Sequence, residues 1–373
     1  MVRFMHSSDW QLGMLGRFLS EEAAARYIEA RLEAVARLGE IAQERECAFI
    51  VVAGDAFDAN LLSRRTLLRA AEAIAAIKVP LFLMPGNHDA FDTTTVYRNP
   101  DLIEHLPKTV TVLDGEGPYS APGAEIVAAP WTTRTPLEDL VGRTVRHLGP
   151  KTLLRVLVGH GAVDEFMPVM RDEPDVIHLR DLEAAIAEGA LDYVALGDRH
   201  STAPVGDTGR VYYSGTPEVT RVDETNPGNV LVVEMEPGQI PKVEKVRVGR
   251  WRFQSAPPFD LTTEADVEAL GAFLEGLPDK TRTCLELTLR GTLAVREAAT
   301  LEDLLDRQRE TLAGVEVHSE VAVQPDDFDF ESLGLKGFAA GALGELKSAA
   351  AGSGEMATAA QDALGLLFRL TRR

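Results

Sequence analysis

The sequence has few cysteines and no long apolar segment, and each shortage narrows the class of protein. Its 373 residues contain two cysteines, Cys47 and Cys284. Two thiols cannot build a disulfide framework, so a reducing compartment is predicted. No stretch approaches the ~20 consecutive apolar residues that a membrane-spanning helix needs. The first residues, MVRFMHSSD, lack the apolar core of a signal peptide. We therefore expect a cytoplasmic protein with no membrane partner.

Basic residues are scarce relative to acidic ones. The chain carries 38 Lys and Arg against 58 Asp and Glu, which gives a formal net charge of −20 at pH 7. A surface of this kind does not hold nucleic acid through its overall charge. A local basic strip, or metal ions that meet the phosphate, is compatible with the same balance. The acidity therefore bears on how DNA would be held and does not exclude DNA as a substrate.

Apolar runs that end in polar side chains recur along the sequence, and residues 80–89 (PLFLMPGNHD) show the pattern best. Pro80–Met84 is predicted to be a short buried strand, because it is an apolar run between two prolines. The tetrapeptide GNHD that follows contains a glycine, which permits a tight turn and close approach to a ligand. Ligands of open α/β sheets lie beyond the carboxyl ends of the strands. Taken alone, the segment fits a plain polar turn equally well.

Helices predicted between such strands indicate an α/β fold with a parallel, helix-covered sheet. The other predicted strands of the first 250 residues are Val2–Met5, Ala48–Ala53, Thr109–Leu113, Glu125–Ala129, Leu153–Val158, Tyr193–Leu196, Val211–Ser214 and Asn229–Met235. The predicted helices are one capped by Ser20, one over about 63–77 and one over 181–188.

The pattern changes near Trp251. Two helices and two strands then alternate over 265–323, which predicts a small α+β capping domain, and two helices separated by Gly352-Ser353-Gly354 predict a C-terminal hairpin. We therefore expect a main α/β domain at 1–250, a capping domain at 251–326 and a helical segment at 327–373. The apolar face of the hairpin would cover the main domain or dock a partner.

Five predicted strand ends carry carboxylate, amide and imidazole groups. These groups are Asp9 and Gln11, Asp55 and Asp58, Asn87 with His88 and Asp89, His160, and Asp198 with His200. If the strand ends share one edge, the groups suit a two-metal phosphoester site, in which a shared carboxylate holds two divalent cations ~3.5–4 Å apart. Any one of these histidines could have a purely structural role. For His88, His160 and His200 together, that alternative requires three independent structural histidines to fall at strand ends by coincidence.

In this order the motifs resemble the calcineurin-like metallophosphoesterase superfamily, which implies layered β-sheets covered by helices. The opening HSSD with Leu12-Gly13, the segment GDAFDAN, and Tyr193–His200 leading into YYSGTPE are similar to the SbcD-type nuclease subunits of that superfamily. The motifs span about residues 1–235, and the rest of the chain is similar only in layout. The resemblance implies a 3′-to-5′ DNA exonuclease and single-strand or hairpin endonuclease in double-strand-break repair. It also implies a homodimer and an SbcC-type coiled-coil ATPase partner.

The resemblance further implies a role for each motif residue. One metal would be held by Asp9, Gln11, Asp55 and His200, and the second by Asp55, Asn87, His160 and Asp198. His88 would donate a proton to the leaving sugar oxygen, and Asp89 would orient His88 as carboxylates orient imidazoles. Asp58 would shape the site or cap a helix.

Two ligand positions depart from the family's usual pattern, which has histidine where this chain has Gln11 and Asp198. Each change replaces an imidazole nitrogen by an oxygen, and oxygen-rich sites favour hard cations over zinc. We therefore predict two divalent metal ions, manganese first and magnesium as the alternative. The metal at Gln11 should bind more weakly, because a neutral amide is a poorer ligand.

Three functions stay open from the sequence. They are a DNA nuclease subunit, a phosphodiesterase or phosphatase acting on nucleotides or other small phosphoesters, and a catalytically weakened scaffold for an ATPase. The predicted capping domain and helical tail favour the first over the second, and the retained ligands favour an enzyme over a scaffold. Arg17 and Arg199 lie near the motif edge and are predicted to contact substrate phosphates, with solvated surface arginines as the alternative.

Overall fold

The computed structural model describes residues 1–16, 19–167, 169, 173–324 and 337–371. Residues 1–16 and 24–251 form a larger compact unit, and the described residues of 252–371 form a smaller one together with residues 19–23. The predicted boundary at residue 327 lies outside the described residues, so the division into three domains stays a prediction.

The larger unit contains twelve strands and five α-helices among its described residues. The strands are β1 (Val2–Ser7), β2 (Ile50–Ala53), β3 (Leu81–Met84), β4 (Val110–Val112), β5 (Tyr119–Ala121), β6 (Ala124–Ala128), β7 (Leu154–His160), β8 (Tyr193–Gly197), β9 (Ala203–Val205), β10 (Val211–Tyr213), β11 (Asn229–Met235) and β12 (Lys242–Arg247). The helices are α1 (Glu21–Glu44), α2 (Arg64–Ala75), α3 (Pro100–Ile103), α4 (Leu140–Arg146) and α5 (Leu179–Ala187).

These strands form two six-stranded sheets. The first has the order β12-β11-β1-β2-β3-β4, and the second has the order β5-β6-β7-β8-β10-β9. Strands β1 to β4 are parallel to one another, as are β6, β7, β8 and β10, whereas β5, β9, β11 and β12 pair antiparallel. The carboxyl ends of β1, β2 and β3 therefore meet at one edge of the first sheet, and those of β7 and β8 meet at one edge of the second.

Successive side chains of the central strands enter different hydrophobic cores. Val51 packs between the two sheets, whereas the next residue, Val52, packs against α1 and α2. In the second sheet Val156 faces the core between the sheets, and Leu157 faces α4 and α5. Both faces of the central strands are buried, so these strands are continuous apolar runs. The predicted fold class, layered sheets covered by helices, is confirmed.

The strands that the sequence analysis missed are short or lie at sheet edges. In the larger unit they are β5, β9 and β12, and in the smaller unit two short strands over 252–261 were missed in the same way. The edge strand β12 has only two valines among its Lys, Glu and Arg residues, and most of its side chains are exposed. A strand with most of its side chains exposed lacks the apolar run on which the prediction depends.

The smaller unit is built around one long central strand. Its elements are β13 (Arg252–Ser255), β14 (Phe259–Leu261), α6 (Glu264–Glu275), β15 (Thr283–Ala294), α7 (Val295–Thr311), β16 (Gly314–Gln324), α8 (Phe338–Ala350) and α9 (Glu355–Thr371). Strand β15 pairs in parallel with β13, β14 and β16. The hairpin of α8 and α9 packs on α7, with Leu343 and Leu364 against Val295 and Ala299. Among the described residues, no helix has both the length and the apolar character to span a membrane.

His6 of β1 links the two sheets through a buried imidazole. Its Nε2 lies 3.1 Å from the carbonyl oxygen of Leu196, and its Nδ1 lies 3.1 Å from the hydroxyl of Tyr193. A carbonyl oxygen accepts only, so Nε2 carries the proton and Nδ1 accepts from the tyrosine. Burial lowers the pKa of His6 to about 3, against the opposing effect of the Leu196 carbonyl. His6 is therefore held neutral in the folded protein.

We predict that His6 makes the fold sensitive to acid. An unfolded histidine binds its proton near pH 6.5, whereas folded His6 does so only at about pH 3. Between these values the unfolded state binds more protons, so the free energy of unfolding falls as the pH falls. His6→Gln should flatten this dependence by up to ~1.4 kcal/mol per pH unit. Urea unfolding of both proteins between pH 6.5 and 4.5 measures the two slopes, and equal slopes would contradict the prediction.

Candidate metal centre

The strand ends deliver the predicted site residues from both sheets. Asp9, Asp55 and Asn87 follow β1, β2 and β3 of the first sheet, whereas His160 ends β7 and Asp198 follows β8 of the second. The residues of one site therefore come from positions almost two hundred residues apart. Packing of the two sheets on a common core brings their edges together.

Asp9, Asp55 and His160 form the centre of the cluster. Each contributes one oxygen or nitrogen atom within 4.8 Å of those of the other two, and each residue is at most 2% exposed. Nε2 of His160 lies 3.5 Å from Oδ1 of Asp55. Two buried carboxylates beside an imidazole are unfavourable unless a cation or a shared proton offsets their charge. This donor set fits a divalent cation.

Bound protons can offset part of the negative charge of these carboxylates, and the pKa values of Asp55 and His160 are raised accordingly. Burial raises the pKa of Asp55 to about 7; His160 opposes this effect, and the nearby Asp89 and Asp9 add to it. Burial lowers the pKa of His160, but the carboxylates of Asp55, Asp9 and Asp198 outweigh it and raise the value to about 9. Groups perturbed in this way cluster at functional sites. Binding of a metal would release their protons.

Four of the predicted ligand positions have left-handed backbone. Six non-glycine residues with positive φ occur among the described residues, and four belong to this site: Asp9 at 53°, Gln11 at 49°, Asp55 at 54° and Asp198 at 95°. Such conformations cost ~1–3 kcal/mol each and persist where the surroundings enforce them. Here the two loops bind each other: the Asp9 N–H donates to the Gly54 carbonyl at 3.1 Å and the Gln11 N–H to the Asp55 carbonyl at 3.0 Å. These hydrogen bonds between the two loops therefore hold the strained backbone that places the four side chains in the site.

His160 is oriented by the backbone of the neighbouring sheet. Its Nδ1 lies 2.8 Å from the carbonyl oxygen of Ala53, and its Nε2 lies 2.9 Å from Oδ1 of Asn87. Because the carbonyl requires a donor, Nδ1 carries a proton. The Asn87 amide oxygen also accepts, so Nε2 carries a proton as well. That proton would leave when a metal binds, and Nε2 would then be the ligand atom on the side of Asp55 and Asn87.

His200 is oriented by two residues that the sequence analysis did not identify. Its Nδ1 lies 2.7 Å from Oγ1 of Thr220 and 2.8 Å from Oε1 of Glu224. Its Nε2 lies 3.9 Å from Oδ1 of Asp9. Neither Thr220 nor Glu224 belongs to a recognisable motif, so a single sequence carries no signal for them.

The two unusual ligand positions also contact the cluster. The Gln11 amide donates from Nε2 to Oδ2 of Asp55 at 2.9 Å. The Asp198 N–H donates to the Asp9 carboxylate at 3.1 and 3.2 Å. Oδ1 of Asp198 lies 3.8 Å from Nε2 of His160. Both residues therefore reach the cluster.

His88 stands at the open side of the cluster, with 46% of its side chain exposed. Its Nδ1 lies 3.0 Å from the backbone oxygen of Asp58, and its Nε2 lies 4.0 Å from Oδ2 of Asp55. The ring is thus held at Nδ1 and directs Nε2 toward the buried acids.

The helix-capping alternative for Asp58 is wrong, because Ser63 caps α2 by accepting the Thr66 N–H at 3.1 Å.

The expectation that Asp89 orients His88 is also wrong. Its carboxylate accepts the Gly86 N–H at 2.6 Å, the Phe57 N–H at 3.0 Å and the Tyr97 hydroxyl at 2.6 Å. These three bonds occupy both oxygens of a fully buried side chain. Asp89 therefore fixes the loop that carries the GNHD motif, and it ties this loop to the end of β2.

Of the two predicted phosphate contacts, Arg17 lies outside the described residues. The Arg199 guanidinium stacks on Phe166, 4.3 Å from the ring centre. Its Nε is buried and has no hydrogen-bond partner among the residues that the structure describes. Arg134, near the same edge, donates to the His88 carbonyl at 3.3 Å. Positive charge is therefore present at the rim of the acidic cluster.

A buried set of carboxylates and imidazoles at converging strand ends has the donor atoms that a divalent cation needs. The profile of the calcineurin-like phosphoesterase family matches residues 2–233, which contain every residue of the cluster. The chain belongs to this family. Divalent metals are the cofactors of the family, and the enzyme is a metal-dependent phosphoesterase.

Two curated relatives are similar to this chain. They are the SbcD subunits of nuclease SbcCD from Escherichia coli strain K12 and from Escherichia coli O157:H7, each 26% identical over 281 residues, or 66% of this chain and 68% of the relative. This similarity supports a phosphodiesterase or nuclease. A solved crystal structure covers 66% of this chain and 98% of its own at a TM-score of 0.40 and 14% identity, which adds nothing to the assignment.

We predict that Gly86 cannot carry a side chain without loss of the site. A Cβ there would lie 2.2 Å from Oδ1 and 2.6 Å from the backbone nitrogen of Asp55. Gly86→Ala must displace Asp55, so it should destabilise the fold by about 1–3 kcal/mol and weaken manganese binding. Gly149→Ala is the matched control, because a Cβ there meets nothing within 4 Å. Calorimetric manganese titration and thermal unfolding test both variants, and wild-type affinity in Gly86→Ala would refute the prediction.

Proposed function

We propose that this chain is a two-metal DNA nuclease, a 3′-to-5′ exonuclease and single-strand or hairpin endonuclease in double-strand-break repair. The observation that carries the proposal is the buried cluster of Asp9, Asp55 and His160 beside the half-exposed ring of His88. Similarity to two nuclease subunits supports DNA as the substrate over a small phosphoester.

The proposed ligand sets share Asp55. One comprises Asp9, Gln11, Asp55 and His200, and the other comprises Asp55, Asn87, His160 and Asp198. The two oxygens of Asp55 already face different sets, with Oδ2 at 2.9 Å from the Gln11 amide and Oδ1 at 3.5 Å from Nε2 of His160. When bound, the two cations would polarise the phosphoryl oxygens and acidify the attacking water.

His88 is the proposed proton donor to the leaving sugar oxygen. Its Nδ1 is engaged by the Asp58 carbonyl, so the protonated ring delivers its second N–H, at Nε2, toward the cluster. Loss of that proton to the leaving oxygen returns the neutral ring with Nδ1–H intact. Asp58 and Asp89 act as positioning residues, the first through its backbone oxygen and the second by fixing the loop.

Arg199 and Arg17 are the proposed contacts to the DNA backbone. Stacking on Phe166 limits the motion of the Arg199 guanidinium beside the metal ligands. The net charge of the chain is −20, so its overall charge repels DNA and attraction must come from local positive charge such as this rim. Tight binding would then depend on a partner.

The proposed partner is an SbcC-type ATPase, docked on the C-terminal hairpin of a homodimeric nuclease. The hairpin buries Leu343 and Leu364 but leaves Phe338 and Met356 exposed to 93% and 78%. Exposed apolar side chains of this size on a helical surface suit a partner helix. Co-elution of this chain with the ATPase in size-exclusion chromatography measures the association. If a variant with serine at both Phe338 and Met356 elutes separately from the ATPase, the result supports the hairpin as the docking surface.

We predict that His88→Ala strongly lowers the rate of DNA cleavage and preserves metal binding. Loss of a general acid lowers the rate by about 10²–10⁴-fold, whereas the ring belongs to neither ligand set. His147→Ala serves as control, because that exposed ring pairs with Glu116. The assay uses end-labelled single- and double-stranded DNA with manganese, beside a generic phosphodiester dye. Undiminished DNA cleavage by His88→Ala would contradict the assignment, and dye hydrolysis without DNA cleavage would favour a small-molecule phosphodiesterase.

We also predict that manganese supports higher activity than zinc. The proposed sets contain carboxylate and amide oxygens at Gln11 and Asp198, and such ligands favour hard cations. Apo-protein reconstituted with manganese, magnesium or zinc provides the comparison on one DNA substrate. Zinc as the best activator would show that the two oxygen ligands do not govern metal choice.

A further inference from the structure

Glu224 lies outside every motif, yet its carboxylate contacts a proposed metal ligand. We propose that Glu224 is the positioning residue for His200 and, through that ring, strengthens the metal site formed with Asp9 and Gln11. The inference rests on the proposed ligand role of His200 and extends it to a residue with no assigned function.

The carboxylate of Glu224 is held in place before it meets the ring. Its Oε2 accepts the Thr220 N–H at 2.9 Å, and the Thr220 hydroxyl donates to Oε1. The side chain is 5% exposed. With these contacts fixed, Oε1 lies 2.8 Å from Nδ1 of His200. The carboxylate therefore faces the imidazole from inside the protein, where water competes little for the bond.

This contact determines which nitrogen of His200 carries the proton. An ionised carboxylate accepts hydrogen bonds only, so Nδ1 donates and Nε2 is left free in the neutral ring. Nε2 is the atom on the side of Asp9, 3.9 Å from Oδ1. Carboxylates that bind the far nitrogen of a ligating histidine fix its tautomer and make it a stronger electron donor.

The two proposed metal sites differ in the group that holds the far nitrogen of their histidine ligand. His160 is held by the neutral carbonyl of Ala53, whereas His200 is held by the carboxylate of Glu224 together with the hydroxyl of Thr220. Glu224 acts on the set that contains the neutral amide of Gln11, which is the poorer ligand. A stronger imidazole donor therefore offsets a weaker amide donor within one site.

A variant of the neighbouring Asp223 distinguishes a direct contact between Glu224 and His200 from a general effect of negative charge. It carries the same charge one residue away, but its side chain is 63% exposed and pairs with Arg221 at 2.9 Å. Asp223→Asn removes a negative charge from the same loop without altering a bond to His200. If Glu224 acted only as a distant charge, the two neutralised variants would behave alike.

The test measures manganese affinity of the full chain, by calorimetry and by the electron paramagnetic resonance signal of free Mn²⁺. Glu224→Gln should weaken one of two manganese sites by about 10–100-fold, the usual effect of losing such a partner. Asp223→Asn should bind both ions as the wild type does. Thr220→Val removes the hydroxyl that holds the carboxylate and that also contacts Nδ1 of His200. It leaves the carboxylate in place, so it should weaken the same site by less. Thermal unfolding of each apo-protein verifies that the variants are folded.

His200→Ala identifies the site and separates two ways of failing. It should weaken the same manganese site, and adding Glu224→Gln to it should cause no further loss. If His200→Ala weakens binding while Glu224→Gln and Thr220→Val retain wild-type affinity, the role of Glu224 is overturned and the ligand set stands. If His200→Ala binds both ions normally, the ligand set fails, and the inference fails with it. None of these readouts requires DNA cleavage.

Discussion

Burial of the Asp55 carboxylate among other acids is the constraint on which the site depends. A buried ion without compensation costs several kcal/mol. The fold supplies part of the compensation: the Gln11 amide, the His88 backbone N–H at 3.0 Å and the imidazole of His160 all approach this carboxylate. Divalent cations would supply the rest. The left-handed backbone at Asp55 (φ 54°) is the conformational cost of directing this side chain to the shared edge.

The same contacts couple the site to the stability of the fold. The bond from His160 to the Ala53 carbonyl joins β7 of the second sheet to β2 of the first. The bond from His6 to the Leu196 carbonyl joins β1 to β8. Both bonds lie between sheets whose facing side chains form one hydrophobic core. The relative position of the two sheets therefore sets the distances within the metal centre.

The sequence predicts the central strands well because burial on both faces leaves a continuous apolar run. Asn229–Met235 has the predicted bounds, whereas the charged edge strand over Lys242–Arg247 was missed. Convergence of Asp9, Asp55 and His160 was also predictable, since each residue directly follows or ends such a run. The contacts of Asp89 were not, because they depend on where Tyr97 and Phe57 lie in the folded chain. Glu224 was missed for the same reason.

The most direct test of the account is the location of the metals. Crystals of the full chain grown with manganese, and measured at an X-ray energy above the manganese edge, give anomalous difference peaks at the bound ions. The account predicts two peaks about 3.5–4 Å apart, on either side of Asp55, one toward Asp9 and His200 and the other toward Asn87 and His160. A single peak that avoids Asp55, or strong peaks only elsewhere on the acidic surface, would contradict the proposed centre.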